Sequence, residues 1–138
     1  MLESAIATAA KAHEGQTDKA GKPYILHPLR VMLNVKGGIP EQCAAVLHDV
    51  IEDTDITSDT LLKLGFSKEV VDAVVLLTRS KDEDYMEYVK RLKANPIARA
   101  VKLADLADNM DMSRIPNPTE KDFARLEKYK KAKSILLD

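Results

Sequence analysis

The sequence predicts an all-α protein, a compact single-domain array of seven or eight helices, and three observations lead there. Apolar residues recur at three- and four-residue spacing along most of the chain, the pattern of helices with one buried face. No stretch of useful length alternates apolar with polar residues as a half-buried strand would. At 138 residues and 45% hydrophobic composition, the chain suits one packed core and shows no repeat or linker that would divide it.

Residues 2–13 place Ile6, Ala9, Ala10 and His13 on one face of an Ala-rich helix that stops before Gly15. Residues 14–23 carry two glycines, a proline and charges without periodicity, which marks a loop bearing the cations Lys19 and Lys22. From 24 to about 35, Ile25, Leu29, Val31, Met32 and Val35 recur at helical spacing, and Gly37-Gly38 supplies the stop. Pro40 suits a first helical turn, and residues 42–51 follow as a nearly continuous apolar helix that must be central. Thr57 or Ser58 can cap a short helix ending at Gly65, and Ser67 another through about Leu77. Further helices are predicted at 83–93, 96–112 and 119–137, with Pro96 opening the second and Pro116 and Pro118 filling the gap before the third.

Lys and Arg number 21 against 22 Asp and Glu, so a net charge of −1 exerts no global pull toward nucleic acid or anionic membrane. An anionic ligand has to be caught locally. The single cysteine, Cys43, lies among Ala44, Ala45, Val46 and Leu47 and reads as a core thiol. No apolar run approaches the roughly 18 residues needed to span a bilayer, and no basic segment precedes an apolar one at the N-terminus, so the expected location is the cytoplasm.

The chemistry-bearing feature is His48-Asp49, set inside the apolar run from Cys43 to Ile51. Burying an imidazole and a carboxylate there is costly unless something satisfies them, and a divalent cation would. Adjacent helical positions diverge by about 100°, so one ion can meet both only off the helix axis, with further ligands from elsewhere. Glu52 and Asp53 stand at i+4 from this pair, where second-layer or acid–base roles fit. In 96–112, Asp105, Asp108 and Asn109 interrupt Val101, Leu103, Ala104 and Leu106, and Asp105 shares a face with Asn109. His13 on its apolar face reads as a packed or hydrogen-bonded histidine, and Tyr24 as a packing residue at a helix start.

Taken together, Tyr24-Ile25-Leu26-His27-Pro28, Leu47-His48-Asp49-Val50-Ile51-Glu52-Asp53-Thr54 and Lys102-Leu103-Ala104-Asp105 with Asn109 resemble the HD superfamily. The likeness is to the hydrolase domain of RelA/SpoT-type alarmone enzymes and to the small alarmone hydrolases, including the metazoan SpoT homologue type, from about Ala5 to Arg114. The resemblance implies that His27, His48, Asp49 and Asp105 hold a Mn²⁺ ion, that Glu52 and Asp53 handle the attacking water, and that Asn109 meets the nucleotide. It implies hydrolysis of the 3′-pyrophosphate of (p)ppGpp to GDP or GTP and pyrophosphate, with no synthetase domain in the chain. Two histidines and two carboxylates also leave positions open on an ion that prefers about six ligands.

Lys19 and Lys102 are the cations nominated for substrate phosphates, although Lys102 and Arg30 also suit structural ion pairs. The sequence departs from the family in the loop, where Asp18 stands in place of an arginine that contacts guanine, and after Asn109, where it reads Met110-Asp111-Met112. Another phosphorylated nucleotide, or a ligand-sensing role for the metal-bound scaffold, therefore stays open beside (p)ppGpp. No nucleic-acid or membrane partner is expected, and a homo-oligomer is compatible with the sequence.

Overall fold

The computed structural model describes residues 1–138 and contains nine α-helices and no strand. They are α1 Leu2–Ala12, α2 Leu26–Asn34, α3 Ile39–Leu47, α4 Val50–Asp53, α5 Ser58–Lys63, α6 Lys68–Leu77, α7 Tyr85–Leu92, α8 Pro96–Asn109 and α9 Glu120–Leu137. A 3₁₀ turn, Met112–Arg114, joins α8 to α9.

The helix starts follow local chemistry. Thr57, Ser67, Asp84 and Asn95 each accept a backbone N–H of the first turn through their side chains, capping α5, α6, α7 and α8. Pro40 and Pro96 sit in first turns, where a missing N–H costs nothing. Helix α3 is the hub. Its residues Cys43 to Leu47 are all fully buried, because α1, α2, α6 and α8 pack around it. The small side chains of Ala5 and Ala9 on α1 meet Cys43, Ala44 and Ala45 on α3 in one apolar cluster. No helix is long and apolar enough to cross a membrane.

The structure corrects the sequence reading at one informative place. The helix predicted over 42–51 is two helices, α3 and the single turn α4, which raises the count to nine. The break falls on His48 and Asp49. His48 N–H bonds back to Ala45 at 3.3 Å in a tightened turn, and Asp49 adopts φ −103° and ψ −2°. A second, smaller difference is the end of α8 at Asn109 rather than 112, where the Asp111 side chain caps the 3₁₀ turn instead.

Candidate metal centre

Three elements converge beside the α3–α4 break: α2 brings His27, the break itself brings His48 and Asp49, and α8 brings Asp105. His27 Nε2 lies 2.9 Å from Asp105 Oδ1 and 3.9 Å from Asp49 Oδ2, while His48 Nε2 lies 3.3 Å from Asp105 Oδ1 and 3.1 Å from Asp49 Oδ2. Donors about 2.1 Å from a shared six-coordinate ion would be about 3 Å apart as neighbours and a little over 4 Å apart as opposites. The observed separations fall in that range.

The donor chemistry fits as well. His48 is buried, and its Nδ1 donates to the carbonyl of Ala45 at 2.6 Å, which leaves Nε2 as a bare lone pair. That Nε2 is buried without a hydrogen-bond partner, an arrangement a cation would satisfy. His27 Nδ1 lies 2.7 Å from Asp108 Oδ2, which orients its Nε2 toward the centre, and Asp108 is itself gripped by Arg30 Nε at 2.8 Å and Arg114 at 3.2 Å. Asp105 Oδ2 accepts from Lys102 Nζ at 2.9 Å and Oδ1 from Asn109 Nδ2 at 3.2 Å. Tyr24 donates to Asp49 Oδ2 at 2.5 Å.

The electrostatics match a site built for positive charge. Burial disfavours charge on Asp105 and Asp49, but Lys102 and a protonated His48 hold the first carboxyl well below its usual range, and protonated His48 holds the second at about 2; an ion on the Nε2 lone pair would supply that positive charge in place of the proton. Burial also disfavours charge on His27, which bonds to Asp105 and Asp108 nevertheless raise to about 9. Carboxylate oxygens of Asp49, Glu52 and Asp53 lie within 4.8 Å of one another. Desolvation and the neighbouring charges of Asp49 and Glu52 push Asp53 up to about 6, close to neutrality, where a proton-handling group is effective.

A cavity of about 560 Å³ opens over these groups. Glu52, Asp53 and Asn109 line it, and so does Lys19 from the loop after α1. Lys102 also borders it but is itself buried: its ammonium is on Asp105 and 5.2 Å from the Tyr88 ring centre, so the head that the sequence offered to phosphates is engaged. Further cations, Arg79, Arg114, Arg125 and Lys128, line the wall and escaped the sequence reading; Arg114 is paired with Asp108 and Asp111, and Arg125 with Asp122. Arg125, Lys128 and Tyr129 recur at i, i+3 and i+4 on α9, a spacing that puts them on one face, but charges elsewhere on α9 hide that signal. Asp108 was legible only as an interruption; its i+3 step from Asp105 mirrors His27 to Arg30 on α2.

Asp18 also lines the cavity, with a role in the loop itself. Its Oδ1 accepts the backbone N–H groups of Ala20 and Lys22, each at 2.9 Å, which closes the loop turn.

With the site in view, the sequence matches the HD domain family over residues 5–128. The chain belongs to the HD domain family. This HD domain is 35% identical over 122 residues to a Vibrio cholerae guanosine-3′,5′-bis(diphosphate) 3′-pyrophosphohydrolase, covering 79% of this chain and 17% of that protein. It is 35% identical over 123 residues to the Escherichia coli bifunctional (p)ppGpp synthase/hydrolase SpoT, with 79% and 17% covered. The HD domain thus spans under a fifth of these two relatives. A solved structure described as a metazoan ortholog of SpoT that hydrolyzes ppGpp superposes with a TM-score of 0.79 at 26% identity, over 99% of this chain and 83% of that one.

Proposed function

We propose that residues 1–138 form a single HD-type hydrolase domain that removes the 3′-pyrophosphate of guanosine polyphosphates, with Mn²⁺ held by His27, His48, Asp49 and Asp105. The observation that carries the reading is the buried, unpartnered Nε2 of His48, 3.1 and 3.3 Å from two carboxylate oxygens at the floor of a cavity with cations on its wall. The relatives named for 3′-pyrophosphohydrolase activity and the ppGpp-hydrolyzing structural neighbour support the substrate.

Overall, ppGpp and water give GDP and pyrophosphate, and pppGpp gives GTP. The bound ion supplies a lowered pKa for water and polarisation of the phosphoryl group. Glu52 and Asp53, exposed at the edge of the site, take and return the proton. Lys19, Arg79, Arg125 and Lys128 offset phosphate charge in the cavity, and Asn109 contacts the nucleotide while steadying Asp105. Lys102 serves the centre by fixing and charge-balancing Asp105.

The test is a nucleotide panel with metal-loaded protein, identifying both products. ppGpp should yield GDP with pyrophosphate. Orthophosphate release, or preference for a nucleotide lacking the 3′-pyrophosphate, would move the protein to another HD hydrolase activity. Metal binding with no turnover on the panel would favour the sensing role.

Lys102→Met separates the two roles of that lysine. Removing one partner of a buried ion pair costs about 3–5 kcal/mol, and partners that orient metal ligands are worth about 10–100-fold in affinity. The variant should therefore melt lower and titrate more weakly with Mn²⁺, with KM for ppGpp nearly unchanged. A raised KM with metal affinity intact would return Lys102 to the substrate.

A further inference from the structure

Helix α4 carries Glu52 and Asp53 but is only one turn, Val50–Asp53, so it has little cohesion of its own. A closing backbone bond runs from Asp53 N–H to the Asp49 carbonyl at 3.0 Å. The carbonyls at its end need partners from outside. Thr54 Oγ1 serves Val50 locally, at 2.5 Å. The carbonyl of Asp53 is served from 37 residues away, by Gln16 Nε2 at 3.1 Å.

Gln16 is itself held. Because its amide nitrogen donates to a carbonyl, its Oε1 faces His13 Nδ1, 2.9 Å away, and that nitrogen carries the proton. His13 is buried and its ring centre lies 5.0 Å from that of Tyr24, whose hydroxyl donates to Asp49 Oδ2. The backbone closes the frame: Tyr24 N–H bonds to the Gln16 carbonyl at 2.9 Å, and Thr17 pairs with Pro23 at the neck of the loop bearing Lys19. Gln16 thus joins the end of α1, the base of the Lys19 loop and the turn with both proton-handling carboxylates. The Gln16 side chain bonds to none of the four candidate ligand side chains; the frame reaches one of them, Asp49, only through the Tyr24 hydroxyl.

We propose that Gln16, oriented by His13, is a positioning residue: it clamps the Glu52–Asp53 turn against the substrate loop and acts on turnover rather than on metal binding. The proposal rests on the hydrolase reading for its catalytic half. A displacement of about 1 Å in a positioned group can cost up to about 10²-fold, and the Thr54 bond and the Arg79 amide on Glu52 still restrain the turn. The loss expected from removing the clamp is therefore about tenfold in kcat.

Gln16→Met keeps the side-chain length and deletes both hydrogen bonds, at a site only half-buried, so folding should survive. In the full chain, kcat for ppGpp should fall about tenfold while KM and the Mn²⁺ titration measured without nucleotide stay within twofold. Amide exchange at Asp53 should quicken several-fold with α3 and α8 unchanged. Gln16→Glu, which keeps the acceptor for His13 but sets a carboxylate against the Asp53 carbonyl, should lose at least as much. Unchanged exchange at Asp53, unchanged kcat despite faster exchange, or a metal affinity that falls in step with kcat would each overturn the proposal. Exchange is read without substrate, so the two readings fail separately. A wild-type protein inactive on every nucleotide sinks the hydrolase assignment, while exchange still upholds or overturns the clamp.

Discussion

His48→Ala is expected to lose bound Mn²⁺ and ppGpp hydrolysis together. The side chain contributes a buried lone pair that has no protein partner, so the variant removes a donor that nothing nearby can replace. The remaining carboxylates, Asp49 and Asp105, then keep their mutual repulsion with one donor fewer to hold the cation that would offset it. Partners that merely orient a ligand are worth about 10–100-fold in affinity; deleting a donor should cost more. The wild-type protein should gain stability from Mn²⁺ by mass action, about 2.7 kcal/mol at a hundredfold excess over Kd, and lose it on chelation. His48→Ala should melt at one temperature with or without the ion. Metal analysis, melting and product assays on the same preparation check this. Full activity from a chelated wild-type protein, or a variant that keeps both metal and turnover, would end the single-ion mechanism.

How much of this was legible follows from what a sequence pattern can register. His48-Asp49 stood out because two polar groups interrupt a run of apolar residues, a conflict that periodicity exposes and only a ligand or partner resolves. The break between α3 and α4 did not, since a change of φ and ψ at Asp49 leaves apolar spacing intact. The break nonetheless answers the 100° problem, because at it His48 Nε2 and Asp49 Oδ2 come within 3.1 Å. His27 was reached through motif resemblance, and Asp105, visible as an interruption of an apolar helix, was joined to it the same way; their separation of 78 positions gave no geometric signal. Arg79, Arg125 and Lys128 were invisible for a similar reason, lying at the end of α6 and along α9, so that only tertiary packing brings them to one wall. For Lys102 the sequence left two readings open, a substrate contact and a structural ion pair. Nearness to a motif in sequence suggested a substrate contact, yet on α8 its side chain turns inward to Asp105. Asp18, conspicuous as a departure from the family, has local work in closing its loop through two backbone bonds.

Glu52→Gln should part turnover from metal binding. Glu52 Oε1 accepts the backbone N–H of Arg79 at 2.8 Å, and glutamine retains an oxygen that can make the same bond, so the turn should keep its place. The four proposed ligands, His27, His48, Asp49 and Asp105, are other residues, so Mn²⁺ content and melting temperature should match the wild type. What disappears is a carboxylate able to hold a proton, and such groups contribute about 10²–10⁴ in rate. The charge lost also matters to its neighbour: Glu52 is one of the groups raising Asp53 to about 6, so in the variant Asp53 should titrate lower and be a weaker base. The two effects act in the same direction on kcat. Single-turnover measurement with saturating ppGpp reads the chemical step directly and separates it from product release. If the variant instead lost its metal while each metal-loaded molecule turned over normally, Glu52 would belong among the ligands, and proton handling would fall to Asp53 alone.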